Sequence, residues 1–190
     1  MWLLVGLGNP GPRYFRTRHN LGWLMISALA ESQGLKFYEV FSGKAMIAEL
    51  SGRAYLLLPL SYMNLSGEAV LSAVRKFAVP PERVLVVHDD LDLPLGRLKL
   101  VPKGGAGGHR GVLSIIAALG TEGFPRMKLG IDRPPKGISV KDYVLSEFGP
   151  TEYPVVEKTI KTGLKAIEVI LTEGLEKAMT LYNRRDLRED

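Results

Sequence analysis

Short strand-like runs alternate with longer helical periods along this 190-residue chain, and no other feature restricts its fold so tightly. "WLLVGL" reads as a strand and runs into the turn "GNPGPRY". "NLGWLMISALAESQ" then places Leu21, Leu24, Met25, Ala28 and Leu29 on one helical face, stopped by Gly34. "KFYEVF", "KAMIAEL" and "RAYLLLP" read as strands, the last two joined by a tight hairpin turn at Ser51 and Gly52. A helix is predicted from Ser66, as its N-cap, through "GEAVLSAVRKF", with Ala69, Val70, Ala73, Val74 and Phe77 on one side. The strands "RVLVVH" and "GRLKLV", a glycine-rich loop, the helix "GVLSIIAAL" and the strand "RMKLGI" follow. Two helices from about residue 151 close the chain. The pattern predicts an α/β fold, a three-layer sandwich in which a mixed, mostly parallel twisted sheet is flanked by helices. One domain over 1–190 is expected, with "DRPPKG" a surface loop and not a linker.

Cysteine is absent, which excludes disulfides, a thiolate nucleophile and every Cys-based zinc site. Chemistry must come from His, carboxylates, amides, hydroxyls or Lys. The opening "MWLLVGLGNPG" is too short to span a membrane and lacks a basic head, so a cytoplasmic protein without a signal peptide is expected. A net charge of +5 leans toward a polyanionic partner. Only four asparagines (Asn9, Asn20, Asn64, Asn183) and one glutamine occur, a depletion of thermolabile side chains that fits a thermophilic source. Under that pressure each surviving asparagine is worth following.

"GLGNPG" spells G-x-G-x-x-G after a strand, but its third glycine precedes Pro12 and the helix starts only near Asn20. Glu31, the nearest acid at the required distance, lies inside that helix, so the dinucleotide fingerprint fails on context. The loop instead holds Asn9 at the end of the first strand. The three histidines also sit at element ends: His19 before the first helix, His88 at the end of "RVLVV", and His109 after "KGGAGG". Strand ends along one edge of an α/β sheet are where sites gather. Beside His88, "HDDLDLPLG" supplies Asp89, Asp90 and Asp92, which admit two readings. One is a magnesium site. The other, preferred because Asp89 and Asp90 face opposite sides of a continuing strand, pairs one aspartate with a histidine from another loop to make a general base. "KGGAGGHRG" lacks the G-K-[ST] ending of a P-loop, although its backbone, Lys103 and Arg110 could approach a phosphodiester.

Taken in order and spacing, "VGLGNPGPRYFRTRHNLGW", "YMNLSG", "HDDLDLPLG" and "KGGAGGHRG" resemble the bacterial peptidyl-tRNA hydrolase family over nearly the whole chain. The resemblance implies a metal-independent, cofactor-free monomer that cleaves the ester between a peptide and the 3′ end of tRNA. It assigns His19 as the base and Asp89 as the carboxylate that holds it. Asn9 matches the residue that tells blocked peptidyl ends from free aminoacyl ones, and Asn64 an amide supporting the water or oxyanion. Tyr14 and Tyr62 match positions that bind the tRNA 3′ end, Met63 lines the same crevice, and Asn20 follows the base directly. His109, Lys103, Arg110, Lys128 and Arg133, with the C-terminal "NRRDLR", are the further candidates for holding tRNA. Two departures stand out: relatives usually read G-G-H-N-G where Arg110 stands here, and some carry arginine at Lys128. A guanidinium cannot accept a hydrogen bond, so the amide's acceptor role is not inherited by Arg110. Two rivals follow from the same residues: a non-catalytic RNA-binding relative, and a metal-dependent phosphodiesterase using Asp89, Asp90 and Asp92.

Overall fold

The structure, a computed structural model, describes residues 1–184 and 188. Seven strands form one sheet: β1 (Trp2–Gly6), β2 (Tyr38–Val40), β3 (Ala45–Leu50), β4 (Ala54–Pro59), β5 (Val84–Asp90), β6 (Leu98–Val101) and β7 (Arg126–Gly130). Their order is β2-β3-β4-β1-β5-β7-β6. The central strands β4, β1, β5 and β7 pair in parallel, and an antiparallel neighbour closes each side. The expected mixed α/β sandwich is therefore found, parallel in its middle and antiparallel at its edges.

Strand alternation divides the core between two faces. Leu4, Leu85 and Val87 point to one, which packs under α1 (Leu21–Ser32), α5 (Tyr153–Glu173) and α6 (Leu175–Tyr182). Leu3, Val5, Val84 and Val86 point to the other, covered by α2 (Ser66–Phe77) and α3 (Arg110–Leu119). Because β1 leads into α1 on one face while α3 covers the other, the carboxyl ends of the adjacent strands β1 and β5 border a crevice. Such a switch point is where α/β sheets place ligands. Among the described residues no helix is long and apolar enough to cross a membrane.

Three details differ from expectation. Ser66 is the first residue of α2 and not its cap; its hydroxyl donates to the Met63 carbonyl at 2.8 Å, closing the 3-10 turn Met63–Leu65. A short helix, α4 (Val140–Val144), was not expected within "ISVKDYV". Its signal is local: the Ser139 hydroxyl accepts the Asp142 N–H at 3.1 Å, half of a capping box. The last helix ends at Tyr182, and Arg185 to Leu187 of "NRRDLR" lie outside the described residues. The Ser51–Gly52 turn is as expected, with both φ angles positive, the twist that suits a hairpin.

The docking of α1 sets the position of everything at the β1 end. A Cβ on Gly22 would lie 2.0 Å from the Val87 carbonyl oxygen, so only glycine lets α1 approach β5. Gly22→Ala is expected to destabilise the fold by about 3 kcal/mol, the upper range for overpacking. Urea denaturation measures this, and an unchanged midpoint would show that α1 can shift without penalty.

Candidate active site

Four segments converge on the crevice. The loop after β1 supplies Asn9, and a 3-10 turn over Arg18–Asn20 supplies His19 and Asn20. The end of β5 supplies His88 and Asp89, and the glycine-rich loop delivers His109 to the start of α3. The crevice, of about 860 Å³, is also lined by Tyr62, Met63, Asn64, Arg110, Lys128, Lys99 and Val140.

Asp89 lies at its centre with 3% of its surface exposed. Its carboxylate meets His19 Nδ1 at 2.9 and 3.1 Å through its two oxygens, and His109 Nε2 at 2.9 Å. Burial alone would favour the protonated acid, but the two imidazoles outweigh it and hold the carboxyl well below the usual carboxylate range. The magnesium reading needs Asp89, Asp90 and Asp92 to converge, and they do not: Asp89 faces the histidines, Lys128 lies 3.9 Å from Asp90, and Asp92 pairs with Arg133.

The two imidazoles on Asp89 differ in their second nitrogen. His109 is the N-cap of α3, and its Nδ1 accepts the Gly111 and Val112 N–H groups at 3.1 and 3.3 Å. Its proton therefore sits on Nε2, which donates to Asp89 and keeps no lone pair for a metal. His19 instead donates from Nδ1, which leaves Nε2 as a lone pair. Burial of the His19 ring opposes protonation, the Asp89 charge and hydrogen bond more than compensate, and the Arg110 charge subtracts from them. The net result is a pKa above the ordinary histidine value.

His88, the third ring, stacks edge-on to His109 with centroids 4.9 Å apart. Its Nδ1 donates to the Asp89 main-chain carbonyl at 2.7 Å, and its buried Nε2 has no protein partner among the described residues. Burial, reinforced by the nearby His109, drives its pKa down to about 3, so it is neutral.

The asparagines interlock. Asn20 Nδ2 donates to the Asn9 carbonyl and Asn20 Oδ1 accepts the Asn9 N–H, both at 2.9 Å. Gly8 permits this, since a Cβ there would lie 2.8 Å from the Asn20 amide. Asn9 Oδ1 in turn accepts the Met63 N–H at 2.8 Å, so its Nδ2 is left to donate. Asn64 is exposed within the lining.

This is an imidazole with a free lone pair, oriented by a buried carboxylate and flanked by amide donors, as hydrolysis by general-base catalysis requires. The peptidyl-tRNA hydrolase family model matches residues 3–190. The chain belongs to the peptidyl-tRNA hydrolase family. It is 49% identical over 187 residues to the peptidyl-tRNA hydrolase of Carboxydothermus hydrogenoformans, covering 97% of this chain and 99% of that one. To the Thermus thermophilus peptidyl-tRNA hydrolase it is 47% identical over 187 residues, with 98% of each covered. A crystal structure of peptidyl-tRNA hydrolase from Acinetobacter baumannii superposes with a TM-score of 0.92 at 30% identity, covering 98% of this chain and 96% of that one.

In this peptidyl-tRNA hydrolase family member, the other expected site residues are dispersed. Asn20 is buried behind Asn9 and outside the crevice lining. Tyr14 is half-buried and also outside it, with the Arg13 guanidinium 5.5 Å above its ring. Lys103 is exposed on the loop ahead of the glycines, and Arg133 is held against Asp92. Sequence reasoning missed Lys99, which stands opposite Lys128 across β6 and β7, and the α4 residues Val140, Lys141 and Val144.

His88 carries a pH prediction. Its folded pKa lies below the unfolded value near 6.5, so the unfolded chain binds the extra proton and stability falls as pH drops from about 6.5 to about 3. The expected slope from this group is about 1.4 kcal/mol per pH unit inside that window. His88→Gln should flatten it in denaturation curves recorded across pH, and an identical slope in the variant would mean His88 is not buried neutral.

Proposed function

We propose that this chain hydrolyses the ester linking a peptide, or an N-blocked aminoacyl group, to the 3′ end of tRNA. The observation that carries the reading is the contact of His19 Nδ1 with buried Asp89, which assigns the proton to Nδ1 and leaves the lone pair on Nε2. His19 Nε2 removes a proton from water as the water oxygen attacks the ester carbonyl. Asp89 holds the ring's tautomer and stabilises the imidazolium that forms. The ribose oxygen leaves with a proton returned from that imidazolium, so no covalent intermediate is needed. Asn64 and the donor face of Asn9 border the space where the carbonyl oxygen gains charge; one such donor is typically worth about 10²- to 10³-fold in rate.

Discrimination of the blocked amine follows from the same geometry. With Oδ1 turned to the Met63 N–H, the amide of Asn9 is fixed in orientation and its Nδ2 donors are the part left without a protein partner among the described residues. A blocked α-nitrogen brings a carbonyl that accepts them. A free α-ammonium brings only further donors and a charge, and the mismatch leaves polar groups unpaired.

The chemistry runs without a metal in this reading, because His109 has given its second nitrogen to the helix cap and Asp89 is taken up by two N–H groups. The tRNA backbone is read as the partner of Lys103, Arg110 and Lys128, with Arg133 joining only after release from Asp92. Arg110 lines the crevice close enough to lower the His19 pKa, which helps keep the base neutral.

Hydrolysis of a blocked aminoacyl-tRNA beside its free-amine counterpart tests the reading, with turnover of the blocked form alone as the expected outcome. His19→Ala should lower kcat at least ~10²-fold. Turnover near the parent rate would place the base elsewhere, and loss on thorough chelation would restore the metal reading. Separately, Lys103→Ala should reduce the salt dependence of tRNA binding by about one unit while sparing chemistry on a minimal substrate. Equal losses on minimal and full-length substrates would contradict that role.

A further inference from the structure

Arg126, at the start of β7, is the largest of the fully buried side chains, with 0% exposure. A buried guanidinium is expensive unless its donors are met, and here each nitrogen donates to a main-chain carbonyl while the Glu122 carboxylate favours the charge from beyond hydrogen-bond reach. Nε donates to the Phe124 carbonyl at 3.1 Å, Nη1 to the Gly105 carbonyl at 2.8 Å, and Nη2 to the Glu122 carbonyl at 3.1 Å and to that of Gly104. The guanidinium carbon also lies 4.1 Å over the Phe124 ring. Arg126 thus grips two segments at once, the turn before β7 and the first glycines of the loop that borders the crevice.

Besides Arg126, the loop is held by the Gly104 N–H, which donates to the Glu122 carbonyl at 3.3 Å, and by Ala106, which packs against the core under α2 and α3. Gly104, Gly105, Gly107 and Gly108 offer no side chains, and Gly107 and Gly108 turn through φ of 57° and 81°. From Gly105 the chain passes to Ala106, whose carbonyl accepts the His109 N–H at 3.0 Å. His109 then caps α3 with one ring nitrogen and donates to Asp89 with the other. A shift of the loop therefore reaches the carboxylate through a single turn and one imidazole.

We propose that Arg126 is a positioning residue of the site: by clamping the Gly104 and Gly105 carbonyls it fixes His109 against Asp89, and so the orientation of His19. The proposal rests on the reading of His19 and Asp89 given above. It gives a function to a buried charge that the hydrolytic mechanism itself does not use.

A double-mutant cycle tests it. Arg126→Lys keeps the charge and loses the planar fork, while His109→Asn keeps a helix cap and loses the imidazole. Turnover of a blocked aminoacyl-tRNA is compared for parent, both single variants and the double variant, each checked for folding by thermal melt. Arg126→Lys is expected to lower kcat by about 10-fold with KM little changed, since it disturbs geometry and not binding. Added to His109→Asn it should cost nothing more. Losses that multiply would overturn the proposal, because a purely structural arginine acts independently of His109. A second readout uses the parent protein: NMR of the Arg126 guanidinium should show restricted rotation, and a freely rotating group would also overturn the clamp. That signal needs no turnover, so if His19→Ala proved active the assignment of the base would fail while the clamp was still decided.

Discussion

A carboxylate removed from water and shared between two imidazoles is the constraint on which the rest of this structure depends. Asp89 is buried near the end of β5, behind four apolar residues and His88, and an isolated charge there would neutralise itself by taking up a proton. Two N–H donors at 2.9 Å prevent that. They come from segments far apart in sequence, one ahead of α1 and one ahead of α3, which cover opposite faces of the sheet. The ionised state of Asp89 therefore depends on both faces being docked, and the local electrostatics become a readout of the whole sandwich.

The two imidazoles show how one residue type acquires two roles. Each donates an N–H hydrogen bond to Asp89, and their difference lies wholly in the remaining nitrogen. The α3 N-terminus occupies that of His109 with two N–H groups, whereas that of His19, a residue of the crevice lining, has no hydrogen-bond partner among the described residues. The same rule orders the amides: Asn20 spends both ends of its amide on the Asn9 backbone, and Asn9 spends its oxygen on Met63 and keeps its donors. For His19 and Asn9 the scaffold uses up one half of a two-sided polar group and leaves the other half without a protein partner among the described residues, whereas His109 and Asn20 are spent at both ends within the protein.

Much of this was legible in the chain itself. Alternating periods exposed the layered sheet, and the family resemblance carried by the four motifs implied His19, Asp89, Asn9 and Asn64 as site residues, which the fold does bring to one crevice. What stayed hidden depends on direction and not on residue type. That His109 turns toward Asp89 could not be read from a glycine-rich loop, because glycine admits too many backbone paths to fix where the next side chain points. Arg126 read as one basic residue in a strand, since its acceptors are carbonyls contributed by other segments. Ser66 carries the side chain of a cap, but the preceding 3-10 turn took its hydroxyl and moved the helix boundary by one residue. Only a short cap pattern marked α4, in a stretch dominated by turn formers.

Arg110 extends the same logic to one of the two positions where the chain departs from the pattern that the resemblance implies. It is the first residue of α3, where the aligned N–H groups already present positive charge, and a cation there is disfavoured by about 0.3–1 kcal/mol. It is exposed, and among the described residues it has no acidic partner within ion-pair distance to offset that cost. Its charge also works against protonation of His19, the neighbour whose lone pair must stay available. An anionic substrate reverses the first penalty and leaves the second effect useful. A phosphodiester placed between Arg110 and the helix end gains from both, as backbone donors and a guanidinium do wherever they face the same phosphate. In that position an asparagine could accept as well as donate, whereas arginine exchanges the acceptor for charge.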